Sequence, residues 1–228
     1  MFDMQGYLPF ILEGMKLTVA VALLSLVISV VLGMLGALAK LSKSSAAQTV
    51  AGVYTTIIRG VPDLVLMLLI FFGGQIAINE IGDRLGWGYI DISPFVAGVC
   101  TIGFIFGAYM TESFRGAILA VPKGEIEAGH AFGMTPGQVF SRITLPQMVR
   151  HALPSFGNNW LVLVKATALV SVIGLHDMVF NAGQAGGSTR QPFTFFFVVA
   201  MLYLVITGVS DVALRWADRR YSVGVRKA

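Results

Sequence analysis

Five stretches of this chain are each long enough, and poor enough in charge, to cross a lipid bilayer. A spanning helix needs about 20 mainly apolar residues. The windows 17–39, 53–78, 95–119, 153–173 and 193–216 meet that demand. Hydrocarbon leaves no water to satisfy backbone groups, so each window must form helix. The expected fold class is an all-α membrane protein, a single transmembrane domain over 1–228 with five spans. Charge agrees: 12% of residues are Asp, Glu, Lys or Arg, against about 25% in soluble domains. The longest polar stretch, 121–150, is too short for a soluble domain of its own. Met1-Phe2-Asp3 lacks a basic leader, so the first apolar run reads as a retained span.

Basic residues set the orientation. With the N-terminus on the outer side, Lys40, Lys43, Arg59, Arg115, Lys123, Arg142 and Arg150 fall at inner loops. Arg215, Arg219, Arg220, Arg226 and Lys227 fall on a cytoplasmic tail. Only Lys16, Arg84 and Arg190 remain outside, among Glu80, Asp83, Asp91 and Asp177.

The inner stretch 121–150 has sharp punctuation. Pro122 ends the preceding span, and Gly133 suits the left-handed position that closes a short helix. Thr135, Pro136 and Gln138 form a capping box for a second helix carrying Val139, Phe140 and Ile143, which Pro146 is expected to interrupt. Glu125 and Glu127 charge the first turn, and Ala128, Gly129 and Ala131 leave room for close approach. The element is either a docking knob for a partner or an interfacial helix that only joins two spans.

Glu127-Ala128-Gly129, Gly133 and Ile143-x-Leu145-Pro146 stand at the spacing of the EAA loop of ABC importer permeases, which this chain resembles. Gly129 departs from the usual Ala and weakens intrinsic helicity. Ile58-Arg59-Gly60-Val61-Pro62, Ala108-Tyr109-x-x-Glu112-x-x-Arg115-Gly116 and the run 163–169 resemble the polar amino acid branch. Asp63-Leu64 and the tail 219–225 are most similar to permeases of histidine and lysine–arginine–ornithine importers. The resemblance implies a type I importer transmembrane domain in a bacterial inner membrane. Its EAA loop, with Glu125, Glu127, Ala128, Gly129, Gly133, Ile143, Leu145 and Pro146, would be the coupling helix seated on an ATPase. The implied partners are a homologous second permease, two ATPase subunits that bind the ATP and Mg, and a periplasmic amino-acid binding protein. The implied cargo is a polar, basic amino acid: histidine, arginine, lysine or ornithine.

Ionisable residues at membrane depth need a partner or a wet cavity. Arg59 and Asp63, four apart around Gly60 and Pro62, either pair with each other or leave Asp63 to line a path for a cationic substrate. Glu112 either pairs with Arg115 or faces that path. Asn158 and Asn159 either bridge helices or line the path. Lys165 reads as a structural charge needing carbonyls, water or an acid, with Glu112, Asp63 or an acid of a partner chain as candidates. Gly33, Gly36, Gly103 and Gly107 offer close helix approach.

No phosphate-binding loop with its lysine occurs, and the glycine-rich run 183–189 is expected to lie outside. His130, His151 and His176 lack zinc spacing, and Cys100 is the single cysteine, so no metal ligand set is expected. No catalytic constellation accompanies His151 and Ser155. The remaining alternative, a self-sufficient secondary transporter or channel, usually carries more spans and internal repeats.

Overall fold

The computed structural model describes residues 6–221; the expectations on Met1-Phe2-Asp3, on Ser222–Val225 of the tail motif and on Arg226 and Lys227 lie outside them. The described residues form helices α1 (Leu8–Leu41), α2 (Ser45–Gly60), α3 (Asp63–Leu85), α4 (Pro94–Leu119), α5 (Lys123–Ala131) and α6 (Pro136–Val139). A π-helical turn (Phe140–Thr144) leads into α7 (Leu145–Ala166), a 3₁₀ segment (Thr167–Ile173), α8 (Met178–Thr189) and α9 (Pro192–Tyr221). Five helical stretches are long and apolar enough to span a membrane: Leu8–Leu41, Asp63–Leu85, Pro94–Leu119, Pro136–Ile173 and Pro192–Tyr221.

Helices α1 and α4 form the central seam, and small residues let them meet. A Cβ on Gly33 would lie 2.4 Å from Met110 Cβ, and one on Gly36 would lie 2.3 Å from Thr111 Oγ1. Gly103 and Gly107 return the contact from α4, against Ile28 and Leu32. The core around this seam gathers Val21, Ile102, Ile105, Phe106, Leu163 and Val170. Thr111 and Ser25 are buried there, and their hydroxyls donate to the carbonyls of Gly107 and Val99. Helix α3, by contrast, buries only Leu66, Met67 and Gly82. Its remaining apolar surface suits lipid or a partner chain.

Several boundaries differ from the sequence windows. The first helix begins at Leu8, because Pro9 fits a first turn where its missing N–H costs nothing. The second window is not one helix. Val61 and Pro62 adopt extended backbone, with ψ of 139° and 135°, and separate α2 from α3. Proline disfavours helical backbone before it, which explains the break. Pro146 does not interrupt the fourth span. The π turn widens the helix, with Leu145 N–H donating to Phe140 O, and Pro146 then sits in the first turn of α7. Loop and span become one rod, Pro136–Ile173. The run 183–189 lies within helix α8. Gly186 there packs on Pro192, where a Cβ would lie 2.9 Å from Pro192 Cα. Asp177, expected in an outer loop, is fully buried as the cap of α8.

Candidate functional site: the coupling knob and the polar residues of the bundle

Helix α5 is a short amphipathic knob. It starts after Pro122 and ends where Gly133 takes φ 77°. Thr135 then caps α6: Gln138 N–H donates to Thr135 Oγ1 at 3.4 Å, and Thr135 N–H donates to Gln138 Oε1 at 2.9 Å. This reciprocal cap fixes the turn between the two helices. Glu125, Glu127, Ala128, His130 and Ala131 are exposed or half-exposed. Gly129 is not a contact for a partner. It is buried inward, and a Cβ there would lie 2.6 Å from Ile143 Cδ1 and 3.1 Å from Val139 Cγ2. The departure from Ala thus lets α5 settle on the rod. Gln147 Nε2 donates to Glu125 Oε2, a second tie between knob and rod. The remaining motif positions, Ile143, Leu145 and Pro146, lie on the rod itself.

Phe132 was missed by motif reading. It lies beside the knob at 87% exposure, the highest among the exposed large apolar side chains of the described residues. An exposed aromatic ring between small residues is suited to anchor an interface. Its signal in the sequence was a lone Phe in a polar loop.

Above the knob lies a polar joint. Glu112 Oε2 accepts from Arg115 Nε at 3.0 Å, and Glu112 Oε1 accepts from Lys40 Nζ. Lys40 also donates to Thr55 Oγ1. One carboxylate therefore ties α1, α2 and α4 together. The Glu112–Arg115 pair follows the helical spacing; Lys40, assigned by sequence only to orientation, completes it. With both oxygens engaged, Glu112 is a joint rather than a free path-lining charge.

Arg59 and Asp63 do not pair. Among the described residues the ion pairs are Lys40–Glu112, Arg115–Glu112 and Arg215–Asp211. The break at Val61–Pro62 removes the helical spacing that pairing required. The Arg59 guanidinium instead sits 5.5 Å from the Tyr109 ring centroid, a cation–π geometry. Asp63 opens α3, half-buried, and its charge also reaches Tyr109. Asn159 Nδ2 donates to Ser113 Oγ at 2.9 Å, joining α7 to α4. Asn158 is exposed and lines a groove of about 530 Å³ in which Leu161 and Leu214 lie beside Asp211 and Arg215. Lys165 forms none of the described ion pairs with Glu112 or Asp63; it is exposed in a groove of about 480 Å³ with Tyr203 and Thr207.

Comparison with known proteins places this architecture. Residues 29–223 match the family model described as binding-protein-dependent transport system inner membrane component. The chain is 54% identical over 223 residues to the histidine/lysine/arginine/ornithine transport system permease protein HisQ of Escherichia coli (strain K12), covering 98% of each chain. It is 45% identical to the octopine transport system permease protein OccQ of Rhizobium meliloti, covering 99% of this chain and 96% of that one. A crystal structure of an amino acid ABC transporter with histidines superposes with a TM-score of 0.80 at 32% identity, covering 95% and 96% of the two chains. An inward-facing methionine transporter, MetNI, shares the fold at a TM-score of 0.66 and 19% identity, covering 93% and 94%. The chain belongs to the binding-protein-dependent transport system inner membrane component family and is the membrane permease component of an ABC importer.

Proposed function

We propose that this chain forms half of the pathway for a basic amino acid, and that its coupling knob converts ATPase closure into movement of the bundle. The observation that carries the reading is the union of knob and span. The inner face of α5, at Gly129, rests on a helical rod that continues through the fourth span to Ile173, and its other face is exposed. A push at the cytoplasmic surface therefore enters a spanning element directly. Glu125, Glu127, Ala128, Gly133, Ile143, Leu145 and Pro146 build this coupling, with Gly129 as the inward contact and Phe132 as its apolar anchor.

The cargo reading rests on relatives whose names specify histidine, lysine, arginine and ornithine, at 54% and 56% identity. Asp63 supports it physically. A half-buried carboxylate at a helix break has no ion-pair partner among the described residues, and it suits a cationic side chain. Asn158 adds polar surface on the rod, while Arg59, Arg115 and Lys165 are structural charges. The unpaired surface of α3 and the exposed Lys165 suit a homologous second permease, with two ATPase subunits binding the ATP and Mg inside. A periplasmic binding protein delivers the substrate. The N-terminus lies outside and the C-terminus in the cytoplasm, and this chain itself catalyses no reaction.

The test is reconstitution of the chain with its second permease, ATPase and binding protein in proteoliposomes, followed by uptake of labelled arginine. Uptake is expected only with ATP, ATPase and binding protein together. Uptake by the permease chains alone would establish the channel or secondary-transporter reading instead.

A further inference from the structure

We infer that Asp177 and Asn181 form a buried proton-binding site that fastens the outer end of α8 to α1. The two residues lie one helical turn apart at the start of α8, with Asp177 at 0% and Asn181 at 2% exposure. Half of each side chain is occupied. Asp177 Oδ1 accepts from Phe180 N–H at 2.9 Å, and Asn181 Nδ2 donates to Phe10 O of α1 at 2.8 Å. The other half of each has no donor: Asp177 Oδ2 and Asn181 Oδ1 are buried acceptors with no protein partner. Asp177 caps α8 in extended backbone, and Asn181 N–H donates to Asp177 O at 3.0 Å, so the two residues share the first turn. Two buried acceptors in one turn lack a donor while the acid is ionised, and a proton on the acid supplies one. The Oδ2–H then donates and Asn181 Oδ1 accepts.

The surroundings favour the neutral acid. Gly14 of α1 packs directly on the Asp177 backbone, where a Cβ would lie 2.6 Å from the carbonyl carbon. Thr18 Oγ1 accepts from Met178 N–H at 3.4 Å, so α1 closes the site from one side. Tyr203 of α9 is the titratable group that senses Asp177 from the other side, and its hydroxyl is engaged with Thr167. The 3₁₀ segment carries no charge. On α1, Glu13 and Lys16 are exposed, off the buried Gly14–Thr18 contact. His176 is exposed and stacks on Phe180. Burial pushes the Asp177 carboxyl up to about 6, outweighing the backbone N–H groups that favour the anion. A carboxyl raised in the folded state binds its proton more tightly there than in the unfolded chain. The contact is therefore strengthened on acidification below about 6 and weakened as pH rises through that value.

Asp177→Asn tests the site, because Asn keeps the cap and supplies a permanent N–H donor in place of the proton. The assembled transporter in lipid nanodiscs is titrated from about pH 8 to about pH 5, spanning the raised carboxyl value, and followed by infrared difference spectroscopy. A neutral-carboxyl band that appears near pH 6 in the wild type and is missing from Asp177→Asn is expected. Hydrogen exchange over residues 175–183 is then compared between the two proteins at matched pH. Rates should agree at about pH 5, with the wild type several-fold faster at about pH 7.5. No such band, equal exchange rates at both pH values, or a carboxylate whose band shifts with sodium at fixed pH would overturn the inference, the last in favour of a metal cation.

Discussion

The α1–α4 seam and the α5 knob are built from similar small residues to opposite ends. In the seam, Gly33, Gly36, Gly103 and Gly107 are spaces already filled by the facing helix. In the knob, Ala128 and Ala131 are exposed, and only Gly129 is filled, from inside its own loop. Small residues in the seam exist to hold the chain together. Those on the knob leave a surface open for another chain. Substitutions in the two regions should therefore fail in different assays.

The largest effect belongs to the seam. Gly36→Leu must displace Thr111 in a dry interface, where overpacking costs on the order of 3 kcal/mol or more. Loss of folded monomer on size-exclusion chromatography in detergent is expected, and a folded, active variant would break the distinction. Glu127→Lys should leave folding and thermal unfolding unchanged while abolishing ATP-dependent uptake, measured side by side in proteoliposomes. Phe132→Ala should weaken ATPase binding by about 2 kcal/mol, roughly 30-fold, in a titration of ATPase onto the permease pair. Wild-type affinity would remove Phe132 from the interface. Lys40→Met breaks one arm of the Glu112 joint. Because the pair is only partly buried, about 1–2 kcal/mol of stability should be lost, below the value for a fully buried pair. Denaturation in mixed micelles reads that loss. The smallest effect is expected at Asp63→Asn, a several-fold fall in arginine uptake with histidine uptake less changed. Equal loss for both would make Asp63 a structural residue.

Spans were legible because hydrocarbon demands long apolar helices whatever the tertiary contacts. The capping box at Thr135 and Gln138 was legible because it is a local hydrogen-bond pattern. What was hidden depended on distant residues. Lys40 joins Glu112 across 72 positions of sequence, and no periodicity encodes that meeting. Pro146 was misleading for a related reason. Proline marks a break on average, yet a π turn absorbed this one. Asp177 looked like a solvated outer acid because sequence carries no signal for burial of a cap. Arg59 and Asp63 lost their helical spacing to the same Gly60–Pro62 break that singled them out.

The rod from Pro136 to Ile173 holds 38 residues in unbroken helical turns. At about 1.5 Å per residue its contour approaches roughly 57 Å, nearly twice the hydrocarbon thickness of about 30 Å. As a lever it has useful leverage: a tilt of about five degrees at the knob displaces the far end by roughly 5 Å for a stiff rod of that length. It is also jointed, at the π turn, at Pro154 and at the 3₁₀ segment. Those joints make it a linkage rather than a piston. If the knob receives the ATPase stroke as proposed, where the rod bends would decide which end of the bundle moves first.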